Sequence, residues 1–125
     1  MKLRNVLLSS IILLGLDGIY LTLTKDFFNN LVKQIQGEAI KFKLLGAIIC
    51  YLFLLFGINY FIINRNKSPQ EAALLGLVIY GVYDATNYAI FNKWNLGALI
   101  MDTLWGGLVF YLTTFLTYKL NRKRR

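Results

Sequence analysis

At 125 residues the chain has one domain's worth of interior, yet 57% of it is apolar and only 16% is charged; a soluble fold this small cannot hide that much, so apolar surface must face lipid. A soluble enzyme is excluded, and with no histidine anywhere so are His-ligated zinc, diiron and haem sites and Ser-His or Cys-His nucleophile pairs. The formal charge of +8 would suggest nucleic acid in a soluble protein, but its placement points to membrane surfaces, and no nucleic-acid partner is expected.

In chain order, four apolar runs, 3–24, 44–63, 69–91 and 96–118, reach the roughly 20 residues that a helix needs to cross a bilayer. All 14 Lys and Arg sit in their ends and connections. The first run begins basic, like a signal peptide, but Asp17 interrupts it and no A-x-A-like cleavage site follows, so it is expected to remain as a span. After it, Phe28, Leu31, Val32 and Ile35 recur at helical spacing opposite Asn29, Asn30, Lys33 and Gln36. That pattern fits a short amphipathic interfacial helix ended by Gly37. The second run carries Gly46 and Cys50, small residues of the kind that mark close helix packing in lipid. Cys50 is alone, makes no internal disulfide and reads as an inert packed thiol. Ser68-Pro69-Gln70-Glu71 is a capping box with proline at the first helical position, which starts the third helix at Pro69. Only four residues separate the third run from the fourth, so these two helices are expected to be antiparallel neighbours. The tail 119–125 is a polybasic patch beside the membrane, where each cation gains on the order of 1 kcal/mol from anionic lipid.

Backbone groups in lipid must be satisfied within the segment, and no ten-residue alternation suggests a barrel. The expected fold is therefore all-α, a four-helix transmembrane bundle forming one integral membrane domain over 1–125. An even number of spans puts both termini on one side with Lys2, Arg4, Arg65, Lys67, Lys119, Arg122, Lys123, Arg124 and Arg125. Lys25, Lys33, Lys41, Lys43 and Lys93 fall on the other. Nine cations against five orient the termini toward the cytoplasm.

Three of the six acids, Asp17, Asp84 and Asp102, lie inside spans. A carboxylate at a helix centre costs about 2.5–3.5 kcal/mol on insertion scales and seldom faces lipid. Counted from Lys25 and Lys93 at the helical rise, each lies about 12–14 Å below the same surface. They belong to one layer displaced toward the non-cytoplasmic side, at the level of Tyr51 in the second span. By period, Tyr80, Asp84, Asn87 and Tyr88 share a face; so do Ala98, Asp102, Trp105, Gly106 and Thr113, and Ser10, Asp17, Tyr20 and Thr24. With no cation buried beside them, three carboxyls cannot all stay ionised, so at least one is expected to hold a proton. The residues leave three readings open: interhelical hydrogen-bond glue, a proton- or cation-linked binding or transport site, and an enzyme that uses carboxyls as acid and base or as oxygen ligands of a divalent metal. No cofactor is called for, since Gly-rich phosphate loops and metal-type cysteine spacings are missing.

The stretch Tyr80-Gly81-Val82-Tyr83-Asp84-Ala85-Thr86-Asn87-Tyr88-Ala89, then Trp94, then Asp102-Thr103-Leu104-Trp105-Gly106, resembles the hallmark of the domain-of-unknown-function 2177 family. Its members look like small membrane proteins with a Y-D-x-T-N-x-A stretch, a tryptophan and a D-x-x-W-G stretch. The resemblance extends to Leu16-Asp17-Gly18-Ile19-Tyr20, where Tyr20 stands in place of the usual Trp, and loosely to the second span from Phe53 to Gly57. The family lends no established biochemistry. What the resemblance implies is a shared site of Asp17, Asp84, Thr86, Asn87, Trp94, Asp102, Trp105 and Gly106. The working expectation is a polar site that takes a proton, a cation or a cationic small molecule. In it Asn87 and Tyr51 orient the carboxyls, and Trp105 offers an aromatic face to the cation. So small a bundle would need a homo-oligomer for alternating access, and a structural or assembly role is the other outcome.

Overall fold

A computed structural model describes residues 2–36, 44–91 and 94–123. Its elements are α1 (Leu3–Gln36), α2 (Leu44–Ile58), a π-helical turn at Asn59–Ile63, α3 (Pro69–Ile90) and α4 (Leu96–Lys123), with no strand among the described residues. All four helices are long and apolar enough to cross a membrane. Most of their large apolar side chains point outward, Leu23, Phe53, Val82 and Leu104 among them. In water that would be an aggregating surface; in a bilayer it is the lipid-facing one.

The capping box forms as the sequence demands: Ser68 Oγ accepts from the Glu71 amide at 3.2 Å, and the Ser68 amide donates to Glu71 Oε2 at 3.3 Å. Asn95 caps α4, its Oδ1 accepting from the Ala98 amide at 2.6 Å. α3 and α4 are the most closely packed pair, as their four-residue connection requires. Two glycines make that closeness possible. A Cβ on Gly76 would lie 2.2 Å from the Gly106 carbonyl oxygen, and one on Gly106 would lie 2.2 Å from the Tyr80 ring. Gly46 behaves otherwise: nothing lies within 4 Å of where its Cβ would be. Cys50 is likewise exposed rather than packed. α2 approaches α1 only sparsely, and Gly46 and Cys50 face open space rather than a neighbouring helix.

The residues expected to form a separate interfacial helix are helical, but they continue α1 without a break. Packing explains the continuity. Leu31, Trp94 and Ala98 form a small buried core with Phe28 and Ile35 against it, so the amphipathic face of the extension docks on the start of α4. At about 1.5 Å per residue, α1 is near 50 Å long and projects beyond a hydrocarbon layer of roughly 30 Å. Gly37, Lys41, Lys43 and Lys93 lie outside the described residues, as do Arg124 and Arg125. α4 runs into the basic tail as far as Lys123.

The main core, Leu13, Leu54, Ile58, Ile62, Ile63, Ala72, Val109 and Phe110, fills the half of the bundle nearest the termini. Within it sits a polar layer that the sequence reading passed over. Asn59, 2% exposed, donates from Nδ2 to Ser9 Oγ at 2.9 Å and to the Leu55 carbonyl at 2.8 Å. The Asn59 carbonyl accepts from the Asn64 amide at 2.7 Å, the i+5 bond that defines the π turn. Its signal was available in the spacing, since Ser9 precedes Asp17 by the same eight residues that separate Tyr51 from Asn59.

Candidate functional site

Asp17 is held from two directions. Trp105 Nε1 donates to its Oδ1 at 3.0 Å, and the Tyr51 hydroxyl donates to its Oδ2. α1, α2 and α4 are thereby tied together at one carboxyl that is 7% exposed. Tyr20, one turn along α1, donates to Asp102 Oδ1 at 3.0 Å. Its ring stacks on Trp105 with centroids 4.7 Å apart and planes 3° from parallel. The Tyr20–Trp105 stack thus carries two donors outward to two acids, the hydroxyl to Asp102 and the indole N–H to Asp17.

Asp84 is different. It is fully buried, and among the described residues neither carboxyl oxygen has a donor. Its electrostatic neighbour is Asp102 across the α3–α4 seam, and no Lys or Arg is buried among the described residues. All three carboxyls also act on the Tyr20 hydroxyl. Two ionised carboxyls side by side in this setting would each carry a desolvation cost of several kcal/mol. The acids form a belt around Tyr20 rather than a single cage: among the described residues, no group of three or more Asp, Glu, Cys or His converges on one point as a metal centre would.

The other expected residues divide. Tyr80 packs on the bare backbone of Gly106, and Tyr83 is 59% exposed at a cavity rim. Thr86 is exposed and turned onto its own helix, bonding the Val82 carbonyl at 2.7 Å. Asn87 is half-buried, and its main-chain oxygen accepts from Phe91 to close α3. Neither residue is brought to the carboxyls by a hydrogen bond between described residues, so the orienting role expected of Asn87 is taken by Tyr20 and Trp105. Tyr51 does what the spacing suggested. Tyr20 covers one face of the Trp105 ring. Tyr88, expected to turn inward with Asp84, is 48% exposed. Trp94 is buried, and its indole N–H has no partner among the described residues.

Two cavities of about 500 Å³ each meet at this belt. The outer one is lined by Thr24, Lys25, Phe28 and Asn29 of α1, with Tyr83 and Trp94. The inner one lies between α2 and α3, walled by Ala47, Cys50, Phe53 and Ile79, with Asp17 and Tyr51 at its back. Tyr20, Leu21, Tyr83 and Asp102 line both. Below them the packed side chains of Leu13, Ile58, Val109 and Phe110 close the bundle.

Residues 3–119 match the model of a protein family described as a predicted membrane protein, the domain-of-unknown-function 2177 family. No curated protein and no solved structure matches the chain.

Proposed function

The chain belongs to the domain-of-unknown-function 2177 family of membrane proteins, and from that premise we propose that its buried carboxyls form a binding site for a proton, a cation or a cationic small molecule, entered from the non-cytoplasmic side. One observation carries the reading: Asp84 is wholly buried without a donor, beside a second acid. The close polar neighbour of Asp84 is another acid, Asp102, so a hydrogen bond between the two needs a proton that neither ionised carboxyl carries. Asp17 differs, with two donors from two helices, and is the tie that fixes the bundle's register. The acids therefore split by role: Asp17 holds, while Asp84 and Asp102 receive. Tyr20 and Trp105 set the Asp102 carboxyl at the junction of the two cavities. The charge balance of the connections favours cytoplasmic termini, an orientation in which the cavity mouths face outward.

The test uses the purified full chain in micelles and butylammonium chloride as the probe, with sodium chloride at equal ionic strength as the control. Ligand that binds only the folded state raises the melting temperature by mass action. Butylammonium is expected to stabilise the parent chain and to leave Asp84→Asn and Asp102→Asn unmoved. Equal shifts in the parent and in both variants would reject the site.

A further inference from the structure

The outer cavity holds more than an acid. Trp94 is 7% exposed, and among the described residues its buried indole N–H has no acceptor. A buried donor left unmade costs about 1–3 kcal/mol, so its natural complement is an acceptor brought by a ligand. Lys25, the cation of the same cavity wall, is exposed at the rim on α1. The cavity is therefore two-signed, with Lys25 and the Trp94 N–H toward the membrane surface and Asp102, backed by the unpartnered Asp84, toward the bilayer interior. From Asp102 the inner cavity continues between α2 and α3, where its walls are almost entirely apolar. That gap faces lipid, because Phe53 and Tyr83 at its edges are 73% and 59% exposed.

We infer that the two cavities together receive a zwitterionic lipid whose headgroup carries a primary ammonium beside a phosphate. The headgroup bends inward so that the ammonium sits at Asp102 and the phosphate between Lys25 and the Trp94 N–H, while an acyl chain leaves from the glycerol on the other side of the phosphate and turns down alongside the headgroup into the α2–α3 gap. The inference rests on the cation site proposed above and adds to it an anionic half and a chain. Each part answers something in the molecule. The ammonium brings donors to an acid pair whose hydrogen bond among the described residues comes from Tyr20 to Asp102 and leaves Asp84 without a donor, the phosphate brings an acceptor to the buried Trp94 N–H, and the chain covers an apolar slot. Charge-assisted hydrogen bonds of this kind are roughly twice as strong as neutral ones. A lipid whose headgroup carries no charged group would satisfy neither end.

The experiment compares the melting temperature of the full chain in micelles doped with phosphatidylethanolamine, with phosphatidylglycerol, with free phosphoethanolamine and with butylammonium. Phosphatidylethanolamine is expected to raise it by at least about 3 °C, and phosphatidylglycerol and free phosphoethanolamine by less than a third of that. Trp94→Phe keeps the ring and removes only the donor; it is expected to weaken the lipid response at least about tenfold in apparent affinity while leaving the butylammonium response intact. Lys25→Gln, on an exposed position, should do the same and serves if Trp94→Phe does not fold. A butylammonium shift with no preference for phosphatidylethanolamine over phosphatidylglycerol would overturn the lipid inference and leave the cation site standing. No shift with either would overturn both. An equal shift with free phosphoethanolamine would overturn the docking of the chain.

Discussion

Asp17 and Asp84 are the same residue type at the same depth, and the side chains around them give opposite consequences. Asp17 accepts from Trp105 and from Tyr51, so Asp17→Leu strands two donors inside the bundle at about 1–3 kcal/mol each. Measured hydrogen bonds between membrane helices average nearer 0.6 kcal/mol, so a total loss of about 1–3 kcal/mol is expected. Asp84 has no donor to strand, and Asp84→Asn supplies an amide that can donate to Asp102. The variant is expected to melt at or above the parent temperature while losing the response to ammonium ligands. This is the pattern of a site kept at some expense to stability. Thermal unfolding of both variants in one micelle system checks the pair. An Asp84→Asn chain that melts well below the parent, and below Asp17→Leu, would mean that Asp84 is a structural tie. The sequence exposed all three acids, because an apolar background makes any carboxylate conspicuous. It did not separate their roles, since that depends on which neighbouring helix supplies a donor, and periodicity within one helix carries no such information.

At the scale of helices, α3 and α4 pack because Gly76 and Gly106 let backbone meet backbone and ring. A methyl at Gly106 would overlap the Tyr80 ring near its attachment to the α3 backbone. Gly106→Ala is therefore expected to destabilise by about 1–3 kcal/mol as overpacking does and to loosen Asp84 from Asp102. Gly15→Ala, where nothing lies within 4 Å of the added atom, should be neutral or stabilising by up to about 1 kcal/mol through helix propensity. Unfolding in micelles distinguishes them, and equal effects at the two positions would contradict the packing described. The starts of α3 and α4 were legible in the sequence because a capping box and a four-residue connection are local signals. The unbroken run of α1 was not, for its last turns are fixed by Trp94 and Ala98, some sixty residues away in the chain. The π turn was hidden for the same reason, being the place where Asn59 reaches Ser9 on another helix.

For the molecule as a whole, the two polar levels are unlike. The outer belt meets cavities, whereas the Ser9–Asn59 level is embedded in packed apolar side chains with Leu13, Ile58, Val109 and Phe110 between the two. A ligand that arrives at Asp102 has an entrance and no exit in this conformation, which suits a receptor or carrier state better than a pore. Which side the entrance faces then decides what the site can meet, and the charge bias makes a definite statement about it. In a Cys50→Ser background, Asn30→Cys on the exposed face of the α1 extension should react in intact cells with a membrane-impermeant maleimide. Gln70→Cys, exposed at the start of α3, should react only after the membrane is opened. The nine cations flanking the termini favour this orientation over its inverse because each basic residue resists translocation, while acidic residues contribute little. Labelling of Gln70→Cys alone in intact cells would reverse the protein in the bilayer. The same carboxyls and cavities would then open to cytoplasmic ligands and to the inner leaflet.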